Sequence, residues 1–578
     1  MNLREGLDHV PAPLRFGTSG RRGRVVDLTQ LEVYINALAE LEYFQSLPRA
    51  EGGVARGEEF FYACDLRPSS SALVGGGPAR GGLAQAVGQA IADAGMKAVF
   101  LGRIPTPALA SFALSRDRGS MMVTGSHIPF DRNGYKTNSA RGELLKRDEA
   151  PITARVEEVR VRLYGQALEA SAFNASGMFR GGPRALPEAA PAAAEEYLRR
   201  YTDFFAGRSL RGMRLLVYQH SAVGRDLLVE LLRRFEAEVI PAGRSDDFVA
   251  IDTEAIDADQ LRALASLAAA AWQEHGPIDA LVSTDGDSDR PLILGTEAAR
   301  EGTAPCRVRF FGGDLVGMVV ADYLRADAVV VPVSCNDALD IGPLKNAART
   351  KTRIGSPYVI AGMEAASAKG YKVVCGWEAN GGFLLGSTLT RAGRTLRALP
   401  TRDAFLPILA VLLRAKEDAV TVPALFDQLP PRFSQAALLR NFPRAASVRL
   451  LARYSPAEAG AREVSFQGGR VAAWDEAGKE MELTEAAAAR LGGIREELER
   501  IFSAEMGFGR MARLNYTDGV RMQFDNGDVA HVRPSGNADE LRIYAVAGTQ
   551  ARADAITRLG VAEPGGILRR MEAASVGK

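Results

Sequence analysis

Three stretches of the chain repeat one pattern: a short apolar run, a segment with apolar residues every three or four positions, and a further apolar run that ends in a polar loop. Apolar runs of this length read as buried strands and the 3.6-residue period as amphipathic helix, so the pattern predicts α/β layers. In the first stretch FFYACD (60–65) is a predicted strand and GGLAQAVGQAIADAG (81–95) a helix. They are followed by KAVFLG (97–102), a short helix from Thr106, and the strand SMMVTG (120–125), which opens into SHIPFDRNGYK. In the second, MRLLVYQ (213–219) precedes the helix VGRDLLVELLRRF, whose Leu227, Leu228, Leu231 and Leu232 form one stripe; AEVIPAG and later IDALVS (278–283) follow. The third has the helix GDLVGMVVADYL (313–324), the strand AVVVPVS (328–334), a helix from Pro357, and YKVVCG (371–376) running into WEANGG. All three polar loops follow strand ends, where ligands gather in open α/β sheets, so they are expected to share one cleft.

After about residue 430 the pattern changes. RVAAWDEAGKEMEL (470–483) reads as a hairpin, LTEAAAARLGGIREELERIF (483–502) as a helix, and GVRMQFDNGDVAHVRPSG (519–536) as paired strands around an Asn-Gly turn. Turn-rich clusters near residues 181–196, 295–306 and 428–433 mark boundaries. The expected domains are 1–205, 206–305 and 306–430, all α/β, and a smaller α+β domain over 431–578.

A chain of 578 residues has room for about four domains. Its 71 basic and 70 acidic residues leave a net charge of +1, which supplies no bulk field for a polyanion and argues against nucleic acid as a partner. The four cysteines are far apart and form no C-x-x-C pair, which excludes a visible zinc knuckle or disulfide framework and fits a cytoplasmic protein. The opening MNLREGLDHV lacks the apolar core of a signal peptide, and no run approaches the ~18 apolar residues that span a bilayer, so no membrane association is expected.

The most distinctive polar segment is VSTDGDSDRPLIL (282–294), with three aspartates in five positions between apolar flanks that pin both feet of the loop. A solvated acidic turn is one reading. With pinned feet, at an effective dielectric near ~20, each close carboxylate pair costs roughly 4 kcal/mol unless a cation offsets it. Asp285, Asp287 and Asp289 would then offer hard oxygen ligands suited to magnesium or calcium. An EF-hand starting at Asp285 is excluded, because Arg290 and Thr296 stand where it needs glycine and glutamate.

Other segments carry chemistry that each also fits as an ordinary turn. Ser126 leaves a strand end, but Thr124 and Ile128 stand where a hydrolase nucleophile elbow needs glycines. His127 beside it reads equally as scaffold or functional residue. FGTSGRRG places Thr18, Ser19, Arg21 and Arg22 in a Gly-rich turn, and VRPSGNADELR offers Arg533, Ser535, Gly536 and Arg542 as parts of a phosphate grip. In CGWEANGG, Glu378 and Asn380 are two residues apart past a strand and can point together at sugar hydroxyls. No Walker loop or intact G-x-G-x-x-G appears, so nucleotide binding is not indicated.

Taken in order, FGTSGRRG, TGSHIPFDRNGYK, DGDSDR, WEANGG and RPSGNADELR resemble the signature set of the α-D-phosphohexomutase superfamily. The resemblance implies a heart-shaped enzyme of three related mixed-sheet α/β domains and a C-terminal domain of different build. It implies a phosphoserine at Ser126 and Mg²⁺ held by that phosphate with Asp285, Asp287 and Asp289. Arg22, His127, Lys136 and Arg290 would surround the transferring group, with Lys136 the first candidate for general acid or base. Glu378 and Asn380 would read the sugar, and Arg533, Ser535, Gly536, Asn537 and Arg542 would hold the phosphate that is not reacting. The implied reaction interconverts hexose 6-phosphate and hexose 1-phosphate through a hexose 1,6-bisphosphate. The GSHIP and RPSGNA variants lean toward mannose phosphates, with glucose phosphates next. A metal-dependent sugar-phosphate phosphatase and a non-catalytic sugar-phosphate sensor are the rival readings, and a monomer or weak homo-oligomer is expected. Gly125, Ile128 and Asn537 depart from the usual alanine, asparagine and threonine, and Gly382 stands where some members carry histidine. Residues 450–510 match no motif.

Overall fold

A computed structural model describes residues 1–578 apart from 18, 76–78, 255, 299–305, 350, 457–459, 535–538 and 577–578. The chain forms two compact units, one of residues 1–330 with 355–428 and the other of 331–354 with 429–578.

The first unit holds three α/β layers built on one plan. In the first sheet the strand Glu59–Cys64 lies parallel to both Lys97–Phe100 and Ser120–Val123, and Ser120–Val123 pairs antiparallel with Arg132–Ser139. Parallel neighbours need a crossover, which the helices Leu83–Asp93 and Thr106–Leu114 provide. The second sheet runs Glu238–Arg244, Arg214–His220, Ala280–Thr284, Pro291–Ala298 and Cys306–Phe310, parallel over its first three strands and antiparallel after them. The third runs Ala328–Val330, Val374–Trp377, Phe383–Leu385 and Leu399–Asp403 with the same change of sense after its second strand. In each layer, therefore, the polar loop is the turn by which a parallel strand folds back into an antiparallel partner.

Helix Gln30–Ser46 is capped by the Thr29 side chain, which accepts from the Glu32 amide, and packs against the helices Leu83–Asp93 and Lys146–Tyr164. Its buried acids are paired, Glu32 with Arg160 and Glu40 with Arg21. The expected strand over 328–334 stops at Val330, and the segment 331–354 that follows clusters with the C-terminal residues rather than with the third layer.

In the second unit an eight-stranded antiparallel sheet runs Phe433–Arg440, Glu540–Ala547, Val529–Pro534, Val520–Phe524, Met511–Asn515, Glu463–Ser465, Ala472–Trp474 and Glu480–Met481. The expected hairpins and the Asn526-Gly527 turn are present, with Gly527 at φ +86°. Residues 450–510, which offered no motif, extend this sheet with three short strands and add helix Glu485–Ile501, which buries Leu491, Ile494 and Leu498. Among the described residues no helix is long and apolar enough to cross a membrane, and all four cysteines are buried.

Candidate active site

The aspartate loop is the turn of a hairpin in which Thr284 lies opposite Pro291. Its flanks Leu281, Val282, Leu292, Ile293 and Leu294 are buried, so the loop is pinned as its sequence predicts. The turn is tightened by Ser288 at φ +57°, whose hydroxyl accepts from Thr284 Oγ1 at 2.8 Å and from the Gly224 amide at 2.9 Å. Asp285 Oδ1 accepts from the amides of Asp289 and Arg290 at 3.1 and 3.2 Å. Oxygens of Asp285, Asp287 and Asp289 all lie within 4.8 Å of one another, and all three residues are buried.

Lys136, on the strand Arg132–Ser139, donates to Asp287 Oδ2 at 2.6 Å and also to Asp289 Oδ2. The Thr106 hydroxyl donates 2.6 Å to Asp287 Oδ2. Burial opposes the charge on Asp287, but the Lys136 ammonium and these hydrogen bonds hold its carboxyl below the usual range. Asp285 behaves oppositely: burial and the charges of Asp287 and Asp289 push it well above that range. Arg290 Nε stands 3.9 Å from Asp285 Oδ2 and 3.7 Å from Asp289 Oδ1. Asp287 Oδ1 and Asp289 Oδ1 are buried with no hydrogen-bond donor. Orphaned buried carboxylate oxygens call for an occupant, and a trio of hard oxygen donors fits magnesium or calcium.

Ser126 follows the strand Ser120–Val123, only 2% exposed and with φ at +55°. Its Oγ donates 2.8 Å to Asp285 Oδ2, with His127 Nδ1 at 3.4 Å. The Ser126 amide donates to Thr124 Oγ1 at 2.7 Å, and that hydroxyl donates to Asp65 Oδ2 at 2.8 Å. Beneath the loop the Arg67 guanidinium donates to the carbonyls of Ser126, Ile128, Pro129 and Arg132 at 2.5–2.9 Å and lies 3.9 Å over the Phe248 ring. A Cβ on Gly125 would stand 2.4 Å from Arg67 Cζ, so a side chain there would push the guanidinium aside.

The sugar-loop candidates are also buried. Gly381, at φ +87°, turns the chain against Gly313, where a Cβ would meet the Gly381 nitrogen at 2.0 Å. Asn380 Oδ1 accepts from the Gly382 amide at 3.0 Å, and the Asn380 carbonyl accepts from Thr253 Oγ1 at 2.7 Å. Glu378 Oε2 accepts from Arg402 Nη1 at 3.1 Å, and the same guanidinium donates to Asp289 Oδ2. The serine, aspartate and sugar loops therefore meet in the first unit, as their positions at strand ends predict.

Arg22 joins them. Burial lowers its pKa to about 10; Asp287 opposes that shift, and the Arg67 and Arg402 charges add to it. Arg21 does not join them, because it turns into the core, where Nε donates 2.7 Å to Glu40 and Nη1 donates 3.0 Å to the Leu14 carbonyl. Ser19 lies 3.4 Å from Arg402 Nη2, and Thr18 is outside the described residues. Arg67, Thr106 and Arg402 carry no motif of their own. The signal that finds them is position, since Arg67 follows the strand FFYAC by three residues and Arg402 lies in a strand leading into an apolar helix.

In the second unit Arg533 and Arg542 are direct cross-strand partners. Arg533 Nε is 3.6 Å from Asp518 Oδ1, and Arg542 Nη2 donates to Glu540 Oε2 at 3.4 Å. Ser535, Gly536 and Asn537 lie outside the described residues.

Three domain families match the chain: phosphoglucomutase/phosphomannomutase alpha/beta/alpha domain I over residues 13–162, domain II over 195–297 and domain III over 312–433. The chain is 34% identical over 550 residues to a phosphomannomutase of Sinorhizobium fredii, covering 95% of this chain and 98% of that one. It is 35% identical over 545 residues to a phosphomannomutase of Salmonella muenchen, covering 93% and 92%. Its fold is similar to the crystal structure of a phosphoglucomutase/phosphomannomutase family protein from Burkholderia thailandensis, with a TM-score of 0.60 at 16% identity over 97% of each chain. Three family domains in order, together with this identity along nearly the full length of two phosphomannomutases, establish that the chain belongs to the phosphoglucomutase/phosphomannomutase family of α-D-phosphohexomutases.

Proposed function

We propose that the protein is a phosphomannomutase, with glucose phosphates as secondary substrates, that interconverts hexose 6-phosphate and hexose 1-phosphate through a phosphorylated Ser126 and a hexose 1,6-bisphosphate. The observation that carries this reading is the 2.8 Å hydrogen bond from Ser126 Oγ to Asp285 Oδ2. It places a hydroxyl against the metal-competent carboxylates, in a loop held by Arg67.

The charges around the serine support the reading. The acidic residues Asp285, Asp287, Asp289 and Glu378 lie among the cations Arg22, Lys136, Arg290 and Arg402. A phosphoryl group on Ser126 adds about two negative charges, which one divalent ion matches. Mg²⁺, held by Asp285, Asp287, Asp289 and the Ser126 phosphate, would stabilise the charge of the transferring phosphoryl group.

The chain's own groups supply the rest. The Ser126 Oγ–P bond breaks as a P–O bond forms to the free hydroxyl of the hexose phosphate, giving the bisphosphate; the reverse step on its other phosphate regenerates phosphoserine and releases the isomer. Arg22, His127 and Arg290 neutralise and orient the moving group, since phosphoryl transfer depends on positioning and electrostatics more than on covalent chemistry. Lys136 is the proposed proton carrier. Glu378 and Asn380 read the ring hydroxyls, and Arg533, Ser535, Gly536, Asn537 and Arg542 hold the phosphate at rest. Residues 431–578 act as the fourth domain, and the enzyme works in the cytoplasm as a monomer or weak homo-oligomer.

The test is coupled turnover of mannose, glucose and glucosamine 1-phosphates with Mg²⁺ and with EDTA, while inorganic phosphate is followed. Mannose 1-phosphate should be converted fastest, in the presence of a bisphosphate primer and without phosphate release. Phosphate released in step with turnover would make the protein a phosphatase, and binding without turnover a sensor.

A further inference from the structure

Arg402 is 3% exposed, yet its guanidinium touches three segments of the first unit. Nε and Nη2 lie 3.1 and 3.0 Å from Asp289 Oδ2 on the metal loop, Nη1 lies 3.1 Å from Glu378 Oε2 on the sugar loop, and Nη2 is 3.4 Å from Ser19 Oγ on the N-terminal turn. Its own backbone is anchored on both sides. Thr401 Oγ1 donates 2.6 Å to Glu143, and Asp403 accepts from the hydroxyls of Tyr197 and Tyr201 at 2.7 and 2.6 Å. The sugar loop makes room for the arm: a Cβ on Gly382 would stand 2.4 Å from Arg402 Cδ and 2.6 Å from Cγ. Burial opposes the guanidinium charge, but Asp289 and Glu378 outweigh it and raise the pKa above the ordinary arginine range.

We propose that Arg402 is a positioning residue whose fork fixes the sugar-reading carboxylate Glu378 relative to Asp289, and so fixes the ring against the phosphoryl-transfer centre. The inference rests on the mutase reading given above. A planar guanidinium can hold two carboxylates in fixed directions at once, whereas an ammonium is a point charge on a flexible stem. Loss of the fork would leave Glu378 and Asp289 repelling each other in a buried site and would let the ring drift from the attacking geometry.

The experiment compares Arg402→Lys, Arg402→Met and Gly382→Ala with the wild type. Each is assayed for kcat and KM on mannose and glucose 1-phosphates, for Mg²⁺ binding by calorimetry without sugar, and for melting temperature. A displacement of the ring by 1 Å costs about 100-fold, so both Arg402 variants should lose about that much kcat, and lysine should not rescue. Gly382→Ala, which keeps the guanidinium but pushes its stem aside, should lose about 10-fold or more. The mannose-to-glucose ratio of kcat/KM should fall toward one, and Mg²⁺ affinity in Arg402→Met should shift by about 5-fold or more as Asp289 loses a cation. Wild-type kcat in Arg402→Lys would overturn the proposal. So would a lower melting temperature alone, with the sugar ratio and Mg²⁺ isotherm unchanged. If the Arg402 variants do not fold, Gly382→Ala decides by its kcat and sugar ratio. If the wild type shows no mutase turnover, the functional reading fails, and the Mg²⁺ isotherm judges the Arg402–Asp289 link separately.

Discussion

The Arg67 guanidinium donates 2.9 Å to the carbonyl oxygen of Ser126 and holds that serine in the left-handed region at φ +55°. A non-glycine residue there carries about 1–3 kcal/mol of strain and persists only where its surroundings enforce it. Four backbone carbonyls depend on this one side chain, and Asp65 Oδ2 lies 3.4 Å from its Nε. Arg67→Met should therefore destabilise the protein by about 3–5 kcal/mol, the cost of breaking a buried ion pair. In the folded fraction, activity should fall by about 100-fold as Ser126 loses its aim. Urea unfolding and steady-state rates measure the two effects; an active, equally stable variant would show that the loop holds itself.

The three aspartates should make stability depend on metal in opposite ways for wild type and variant. Without a divalent ion, Asp285→Asn removes one of three buried carboxylates whose oxygens lie within 4.8 Å of one another. The variant should then be more stable than wild type in EDTA, by about 1 kcal/mol once nearby cations are counted. With Mg²⁺ the order should reverse, because the wild type gains binding energy that the variant lacks. Thermal melts in EDTA and in Mg²⁺ measure the crossing. Parallel shifts in both proteins would show that Asp285 is not a ligand.

The aspartate loop was legible because its chemistry is local: three charges in five positions between apolar flanks that the hairpin does bury. The strand-to-loop rhythm of the three α/β layers was legible for the same reason, since period and burial agree within each segment. Arg402 was not, because its partners are 24, 113 and 383 positions away and nothing beside it in sequence marks a shared target. Arg21 and Arg22 show the limit most sharply. Adjacent and alike in sequence, they are separated by strand alternation, one turning to Glu40 in the core and the other toward Asp287.

Arg533 and Arg542 should reveal their role through stability as well as affinity. They are direct cross-strand partners, each with an acid beside it, so an anion bound between them would relieve the like-charge repulsion that Asp518 and Glu540 leave. Inorganic phosphate should raise the melting temperature of the wild-type chain, while Arg533→Ala with Arg542→Ala should abolish that rise. Each single change should raise KM for the hexose phosphate by about 10- to 100-fold, the loss of a charge-assisted hydrogen bond worth about 1.5–3 kcal/mol. An unchanged phosphate response in the double variant would remove these residues from the proposed grip.

His220 sets a stability window in pH. It is buried at the end of the strand Arg214–His220, with Nε2 2.8 Å from the Thr284 carbonyl, and it lies near Arg225. Burial pushes its pKa down to about 4 from an ordinary value near 6.5; the Thr284 hydrogen bond opposes the shift, and the Arg225 charge adds to it. The folded state therefore keeps His220 neutral where the unfolded chain protonates it, so between pH 6.5 and 4 the unfolded state binds more protons. This contribution is fully present above about pH 6.5 and is lost as pH falls toward about 4, amounting to roughly 3 kcal/mol at 1.36 kcal/mol per pKa unit. His531 in the second unit, also buried and pushed down to about 4, acts in the same direction. Urea midpoints measured from pH 7 to pH 4.5 should fall more steeply for the wild type than for His220→Gln, whose side chain does not titrate. Superimposable slopes would mean that folding leaves the His220 pKa at its unfolded value, which burial and the neighbouring Arg225 charge oppose.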